Sequence, residues 1–264
     1  MRKPTKKFLN EATEYLIPVI KRAGKIVLDR WDKIEIATQK DKRDVATKAD
    51  IEVENFLRKK IFSKWPSHGF WGEEEVRTNE SSPYQWLIDP IDGTKNYVKL
   101  APFFQVHIAL VFNNEPVLGL IYQPVSKQLF SAVKNGKTYL NGRIIKSDSA
   151  VSIDRAIVDV DLRGLIERSA GEKKWIEDKL CKIAERSFRL RVSGGSFSIY
   201  LVTGAVDAYI GLSGNQKPQD LAARIIIMQE AGFKIERFKT FFSEEVLLVS
   251  QGKVFSELKK IILK

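Results

Sequence analysis

Two carboxylates end an apolar run in residues 86–94, whose sequence is WLIDPIDGT. Unpaired carboxylates beside a buried strand are costly to desolvate, so hydrophobic packing does not explain Asp89 and Asp92. A divalent cation would offset that cost, and the backbone amides of Gly93 and Thr94 would suit an anion next to it. The spacing therefore predicts a site for a metal ion and a phosphate group.

Three other acidic residues stand where a predicted element begins or ends, namely Asp50, Glu73 and Asp220. Taken singly, they have simpler explanations. The acidic run 73–75 could be a solvated turn, and Asp220 could be a helix N-terminal charge favoured by the helix dipole. Taken with the first pair of aspartates, they supply the oxygen ligands that hard divalent cations prefer.

The elements that position these residues follow from apolar periodicity. Helical spacing predicts helices over 8–31, with Pro18 as a point for a kink or break, and over 49–65. From residue 84, alternating apolar residues and tight turns predict an antiparallel meander. The later pattern predicts strands over 156–160, 188–192, 206–210 and 246–249, and helices over 172–186, 195–203, 218–231 and 254–263.

The composition, 44% hydrophobic and 29% charged, predicts one globular domain over residues 1–264, with subdomains of roughly 1–150 and 151–264. The apolar runs are too short to span a bilayer, so no membrane partner is expected. Cys181 is the only cysteine, which excludes an intrachain disulfide and favours the cytoplasm. The net charge of +11 suits anionic substrates or nucleic acid, but no block of five basic residues indicates a nucleic-acid arm.

The stretch from Asp89 to Thr94, preceded by Trp86, resembles the signature of the inositol monophosphatase superfamily. Members of this family are magnesium-dependent, lithium-sensitive phosphomonoesterases. Four more segments resemble family segments in the family's order: 45–50, 72–74, 116–124, and 220–223 with 230–232. The resemblance implies an α+β fold, the layered α-β-α-β-α sandwich of the inositol monophosphatase and fructose-1,6-bisphosphatase type. It also implies a homodimer.

The resemblance further implies a set of ligands for two or three Mg²⁺ ions in each site. Glu73, Asp89 and the Ile91 carbonyl would hold the first ion. Asp89, Asp92 and Asp220 would hold the second, so that Asp89 bridges the two. Ions in this arrangement clamp the attacking and leaving oxygens of an in-line displacement.

Substrate and nucleophile are assigned in the same way, by resemblance. The Thr94 hydroxyl, hydrogen-bonded to Asp50, would orient a metal-activated water as the nucleophile. Lys40 matches a lysine of a mobile loop that helps to organise the site, although plain solvent exposure explains it equally well. The residues implied to contact substrate are Ile91, Asp92, Gly93, Thr94, Gly194, Gly195, Ser196 and Asp220.

Two departures from the family pattern bear on the substrate. Gln219 stands where the second signature usually has Trp, and Gly211 stands near the place of a Glu that grips substrate hydroxyls. Lys95, Lys99 or Arg191 would suit a second phosphate. The resemblance as a whole makes hydrolysis of inositol-1-phosphate, or of another small polyol or sugar phosphate, the first candidate function. The alternative is a 3'(2'),5'-bisphosphate nucleotidase. A different class, an RNA or transcription-complex binding protein with residual phosphatase activity, is not favoured.

Overall fold

A computed structural model describes residues 3–39, 45–74, 77–147, 151–212, 216–240 and 245–263. Its helices are α1 (Lys6–Asp29), α2 (Lys48–Lys64), α3 (Thr94–Val98), α4 (Ala170–Arg186), α5 (Pro218–Glu230) and α6 (Gly252–Leu263). Its first nine strands are β1 (Ile36–Gln39), β2 (Val45–Thr47), β3 (Gly69–Trp71), β4 (Tyr84–Asp92), β5 (Gln105–Phe112), β6 (Glu115–Gln123), β7 (Gln128–Val133), β8 (Thr138–Leu140) and β9 (Arg143–Ile145). The others are β10 (Ile157–Asp161), β11 (Arg189–Val192), β12 (Ala208–Gly211), β13 (Lys234–Lys239) and β14 (Glu245–Ser250). Short 3-10 helices cover Trp31–Lys33, Ile153–Arg155, Leu165–Glu167 and Gly195–Thr203.

The chain divides into two compact units. The first comprises Met1–Ile144 with Lys217–Glu230, and the second comprises Ile145–Gln216 with Ala231–Lys264. Helix α5 therefore belongs to the first unit although it is distant from that unit in sequence. That the chain is one phosphatase domain with subdomains 1–150 and 151–264 stays a prediction.

The sheet of the first unit has the strand order β3-β4-β5-β6-β7-β8-β9. Strand β3 is parallel to β4, and each pair from β4 to β8 is antiparallel, which confirms the predicted meander. The β5–β6 hairpin turns through Asn113 and Asn114, which both have positive φ. Asparagine tolerates this conformation better than most residues, and it matches the twist of the flanking strands.

Helices cover both faces of this sheet. Leu118 and Leu120 of β6 belong to the core that α1 and α2 complete. Gly119 lies between them and faces the other way, towards α5. A Cβ atom at Gly119 would lie 2.5 Å from Cγ2 of Ile226 and 2.7 Å from the carbonyl oxygen of Ala223. The absence of a side chain at Gly119 therefore lets α5 pack directly on the strand.

Helix α1 runs without a break through Pro18. Pro18 and Glu14, whose carbonyl loses its usual donor, are both exposed, so water can replace the missing bond. The helix begins at Thr5, whose side chain accepts a hydrogen bond from the Phe8 amide at 3.2 Å. Within the described part of the chain, neither α1 nor any other helix has the length and apolarity of a membrane span.

The second unit is built on a sheet with the strand order β11-β10-β12-β14-β13. Strand β10 is parallel to both β11 and β12, whereas β14 is antiparallel to its neighbours. Helices α4 and α6 bury their apolar residues in the core of this unit. The predicted alternation is confirmed with two differences: Gly195–Thr203 forms a 3-10 helix rather than an α-helix, and β13 was not predicted.

Candidate active site

A bulge at the end of β4 places Asp89 and Asp92 on the same face of the sheet. Asp89 pairs with His107 and Asp92 pairs with Gln105, so three steps along β4 match two steps along β5. Residues three apart on a regular strand would point to opposite faces, and the extra residue reverses that. Pro90 lies within the bulge, where its missing N–H costs no ladder bond. Both carboxylates therefore face α5.

Three carboxylates from separate elements converge at this point. Glu73 follows β3, Asp89 lies on β4 and Asp220 lies in the first turn of α5. One oxygen from each lies within 4.8 Å of the others. Asp89 and Asp220 are buried, with 2% and 6% of their surface exposed. Carboxylate oxygens at this spacing can hold a divalent cation between them.

Hydrogen bonds from α2 and α5 fix the position of Glu73. The carboxylate of Glu54 on α2 accepts hydrogen bonds from the backbone amides of Glu73 at 2.8 Å and Glu74 at 3.0 Å. The Gln219 side chain donates to the Gly72 carbonyl at 2.9 Å. Gln219, one of the two departures from the family pattern, therefore links the first turn of α5 to the loop after β3 that carries Glu73.

Sequence reasoning missed Glu54. A signal was present, because Glu54 lies between Val53 and Leu57 on the apolar stripe of the predicted helix. An acidic residue on such a stripe is costly to bury without donors. Here the donors are backbone amides of the loop after β3.

The electrostatics of the cluster fit a bound cation. Burial raises the pKa of Asp89 well above its ordinary range, and the neighbouring carboxylates raise it further. Among the described residues, no hydrogen-bond donor reaches Oδ1 of Asp89. A divalent ion would supply the missing positive charge and the missing partner together, so the residues present fit the metal centre that the resemblance implies.

Asp92 has two neighbours that sequence reasoning did not predict. The Arg224 guanidinium lies with Nη2 2.8 Å from Oδ2 of Asp92, and Nε2 of His107 lies 3.5 Å from the same oxygen. His107 also contacts the Gln105 side chain at 3.0 Å. Burial lowers the pKa of His107 to about 3, so its imidazole is neutral. Arg224 is therefore the neighbour that balances the charge of Asp92.

Asp50 and Thr94 form bonds other than the one expected between them. Asp50 accepts hydrogen bonds from the Thr47 amide at 2.8 Å and the Thr47 hydroxyl at 2.5 Å, as part of the N-terminal cap of α2. The Thr94 hydroxyl donates to the Ile91 carbonyl at 2.8 Å. Burial raises the pKa of Asp50 to about 7, and its Oδ1 has no donor among the described residues.

The remaining predicted residues lie in three places. Gly93, with φ of 93°, is the left-handed residue that begins α3. Gly194, Gly195 and Ser196 belong to the second unit, at the start of its 3-10 helix. Lys40 lies outside the described residues.

Comparison with known proteins gives a family match across most of the chain. The model of the inositol monophosphatase family matches residues 9–260. Inositol monophosphatase 1 of Rattus norvegicus is 28% identical over 229 residues, which cover 84% of this chain and 82% of that protein. Fructose-1,6-bisphosphatase/inositol-1-monophosphatase of Thermotoga maritima is 26% identical over 260 residues, 94% of each chain.

Solved structures share the fold. The extragenic suppressor protein suhB from Bartonella henselae superposes with a TM-score of 0.84 at 20% identity, over 96% of this chain and 99% of that one. An IMPase/NADP phosphatase complexed with Mg²⁺ and phosphate gives 0.79 at 19% identity, over 96% and 95% of the two chains. Staphylococcal inositol monophosphatase-1 in an inhibitory complex soaked in 100 mM LiCl gives 0.80 at 20% identity, over 98% and 96%. The predicted fold class, a layered α+β arrangement of this type, is confirmed.

Proposed function

The chain belongs to the inositol monophosphatase family and is a phosphoric monoester hydrolase, and from that premise we propose that it hydrolyses phosphate monoesters of small polyols or sugars, with inositol-1-phosphate as the first candidate. The observation that supports this most is the convergence of Glu73, Asp89 and Asp220, whose oxygens lie within 4.8 Å of one another. Such a cluster of acids would repel a phosphate ester unless a cation stood between them.

The family is magnesium-dependent, and the residues for the ions follow from the family pattern. Glu73, Asp89 and the Ile91 carbonyl would hold one Mg²⁺. Asp89, Asp92 and Asp220 would hold another, with two or three ions expected in each site. When bound, the ions neutralise charge on the phosphoryl group and lower the pKa of water.

The chain's own groups bind the phosphate and direct the nucleophile. The amides of Gly93 and Thr94 would donate to phosphate oxygens. The contribution of Gly194, Gly195 and Ser196 that the resemblance implies stays a prediction. In the reacting state the Thr94 hydroxyl turns from the Ile91 carbonyl to Asp50, whose Oδ1 is ready to accept it. Asp50 thereby aligns the hydroxyl that orients the attacking water, and Lys40 assists.

A substrate panel with and without Mg²⁺ tests this proposal. We expect inositol-1-phosphate to be cleaved fastest and only with Mg²⁺, and fructose-1,6-bisphosphate and histidinol phosphate to be poorer substrates. Lithium should inhibit turnover. Activity that is unchanged in excess chelator would contradict the metal mechanism, and turnover that is unchanged at high lithium would count against it.

A second candidate function is a 3'(2'),5'-bisphosphate nucleotidase. Lys95 favours it, because this exposed cation lies directly after Thr94 on α3 and could contact a second phosphate. Preference for adenosine 3',5'-bisphosphate over inositol-1-phosphate, lost in Lys95→Ala, would replace the first candidate with this one. The homodimer and any association with nucleic acid stay predictions.

A further inference from the structure

Arg224 is a buried cation held against one of the proposed metal ligands. It is 1% exposed, and its Nη2 lies 2.8 Å from Oδ2 of Asp92. Its Nε and Nη1 reach no hydrogen-bond acceptor among the residues that the structure describes. Burying a guanidinium without acceptors is costly, so the charge of Asp92, with a further contribution from Asp89, stabilises it there.

The geometry of the acidic cluster separates Asp92 from the other ligands. The set of carboxylates with oxygens within 4.8 Å of one another comprises Glu73, Asp89 and Asp220 within the described part of the chain. Asp92 instead directs an oxygen at Arg224. A cation that entered beside Asp92 would meet a fixed positive charge on the same carboxylate, which opposes its binding.

A second cation in the cluster provides a contrast. Lys217 lies with Nζ 2.7 Å from Oε1 of Glu73, but its side chain is 46% exposed. A long, half-exposed lysine can swing into water when a metal takes its place. Arg224 has no such path, because it projects from α5 into the packed face of the sheet. Glu73 can therefore exchange Lys217 for a metal ion more readily than Asp92 can exchange Arg224.

We propose that Arg224 is a built-in counter-ion to Asp92, whose fixed positive charge lowers the affinity of the magnesium position beside Asp92. This inference rests on the proposed metal-dependent function. Arg224 is a positioning residue in this account, because it acts through Asp92 and touches neither substrate nor the reacting atoms.

Binding of Mg²⁺ to the metal-free full chain, followed by isothermal titration calorimetry, tests the proposal without reference to turnover. Arg224→Met keeps the side-chain length and removes the charge, so it should tighten the position beside Asp92 by about tenfold. Arg224→Lys keeps the charge and should bind like the wild type. If Arg224→Met does not fold, Arg224→Gln removes the charge and keeps an amide donor.

Charge-removing variants whose isotherms superimpose on the wild type would overturn the inference. That result would leave the proposed function intact if Mg²⁺ still binds and supports phosphatase activity. Failure of the proposed function has a different signature, since the wild type would then neither bind Mg²⁺ nor hydrolyse any phosphate monoester in the panel.

Discussion

Each unit carries a buried aspartate near the end of a strand, Asp89 on β4 and Asp161 on β10, but their surroundings are opposite. Asp161 accepts hydrogen bonds from the Arg163 amide at 3.0 Å, from Arg163 Nε at 2.8 Å and from the Tyr209 hydroxyl at 3.1 Å. Asp89 has other carboxylates beside it, and no donor among the described residues reaches its Oδ1.

This difference distinguishes Asp161, a structural carboxylate, from Asp89, a candidate metal ligand. The chain itself supplies the donors and the positive charge that Asp161 needs, so nothing further has to bind to satisfy its oxygens. Around Asp89 the repulsion of three carboxylates is only partly offset by Arg224, and a bound cation would offset the rest. Burial alone therefore does not mark a functional acid, because the number of donors around it decides.

The largest expected effect comes from exchanging the two aspartates in turn for asparagine. Asp89→Asn removes a proposed metal ligand and should lower Mg²⁺-dependent turnover by about three orders of magnitude. Asp161→Asn is the matched control in the other unit and should keep its Mg²⁺ activation curve. Initial rates with inositol-1-phosphate over a range of Mg²⁺ concentrations measure both. Equal losses of Mg²⁺ activation in the two variants would remove the distinction between them.

For the free energy of unfolding, substitution of Asp161 should have a larger effect than substitution of Asp89. Asp161→Ala removes the acceptor that Arg163 and Tyr209 share and should lower the free energy of unfolding by about 3 kcal/mol, with no recovery on adding Mg²⁺. Asp89→Ala relieves repulsion in the metal-free chain and should cost far less. Urea unfolding with and without Mg²⁺ compares the two variants. A metal-free Asp89→Ala that is as unstable as Asp161→Ala would contradict this order.

Asp159 of β10 is intermediate between Asp89 and Asp161 in how far hydrogen-bond donors satisfy its oxygens. Ser193 donates to one of its oxygens, and the other has no donor among the described residues. Burial raises its pKa to about 6. A carboxyl whose pKa is higher in the folded chain takes up protons on folding, so its contribution to stability is present at pH 3.5 and is lost as the pH rises through 6.

Asp159→Asn should therefore raise the free energy of unfolding by about 2 kcal/mol at pH 7 and leave it unchanged near pH 3.5. Urea unfolding at the two pH values measures the difference between variant and wild type. A gain of the same size at both would show that the charge of Asp159 is not its cause.

Residues whose roles follow from local motifs were predictable from the sequence. Asp89, Asp92 and Asp220 stand beside turn and helix signals, so their places at element ends can be inferred from the chain alone. Whether Asp89 and Asp92 share a face depends on the bulge opposite His107, which is a property of strand register.

Residues that act across the fold were not predictable in this way. Arg224 lies in the apolar run 221–228, and only the packing of α5 on the sheet reveals its partner, Asp92. The Thr94 hydroxyl was expected to bind Asp50, but the tight turn before α3 puts the Ile91 carbonyl within its reach instead. Such pairings depend on tertiary geometry, which motif spacing does not specify.

The central claim, that the cluster around Asp89 is a magnesium centre, is tested most directly by calorimetric titration of the metal-free chain with Mg²⁺. We predict saturable binding in the wild type and in Asp161→Asn, and its loss in Asp89→Asn. No saturable binding in the wild type up to about 10 mM Mg²⁺, or binding that Asp89→Asn retains in full, would contradict the account.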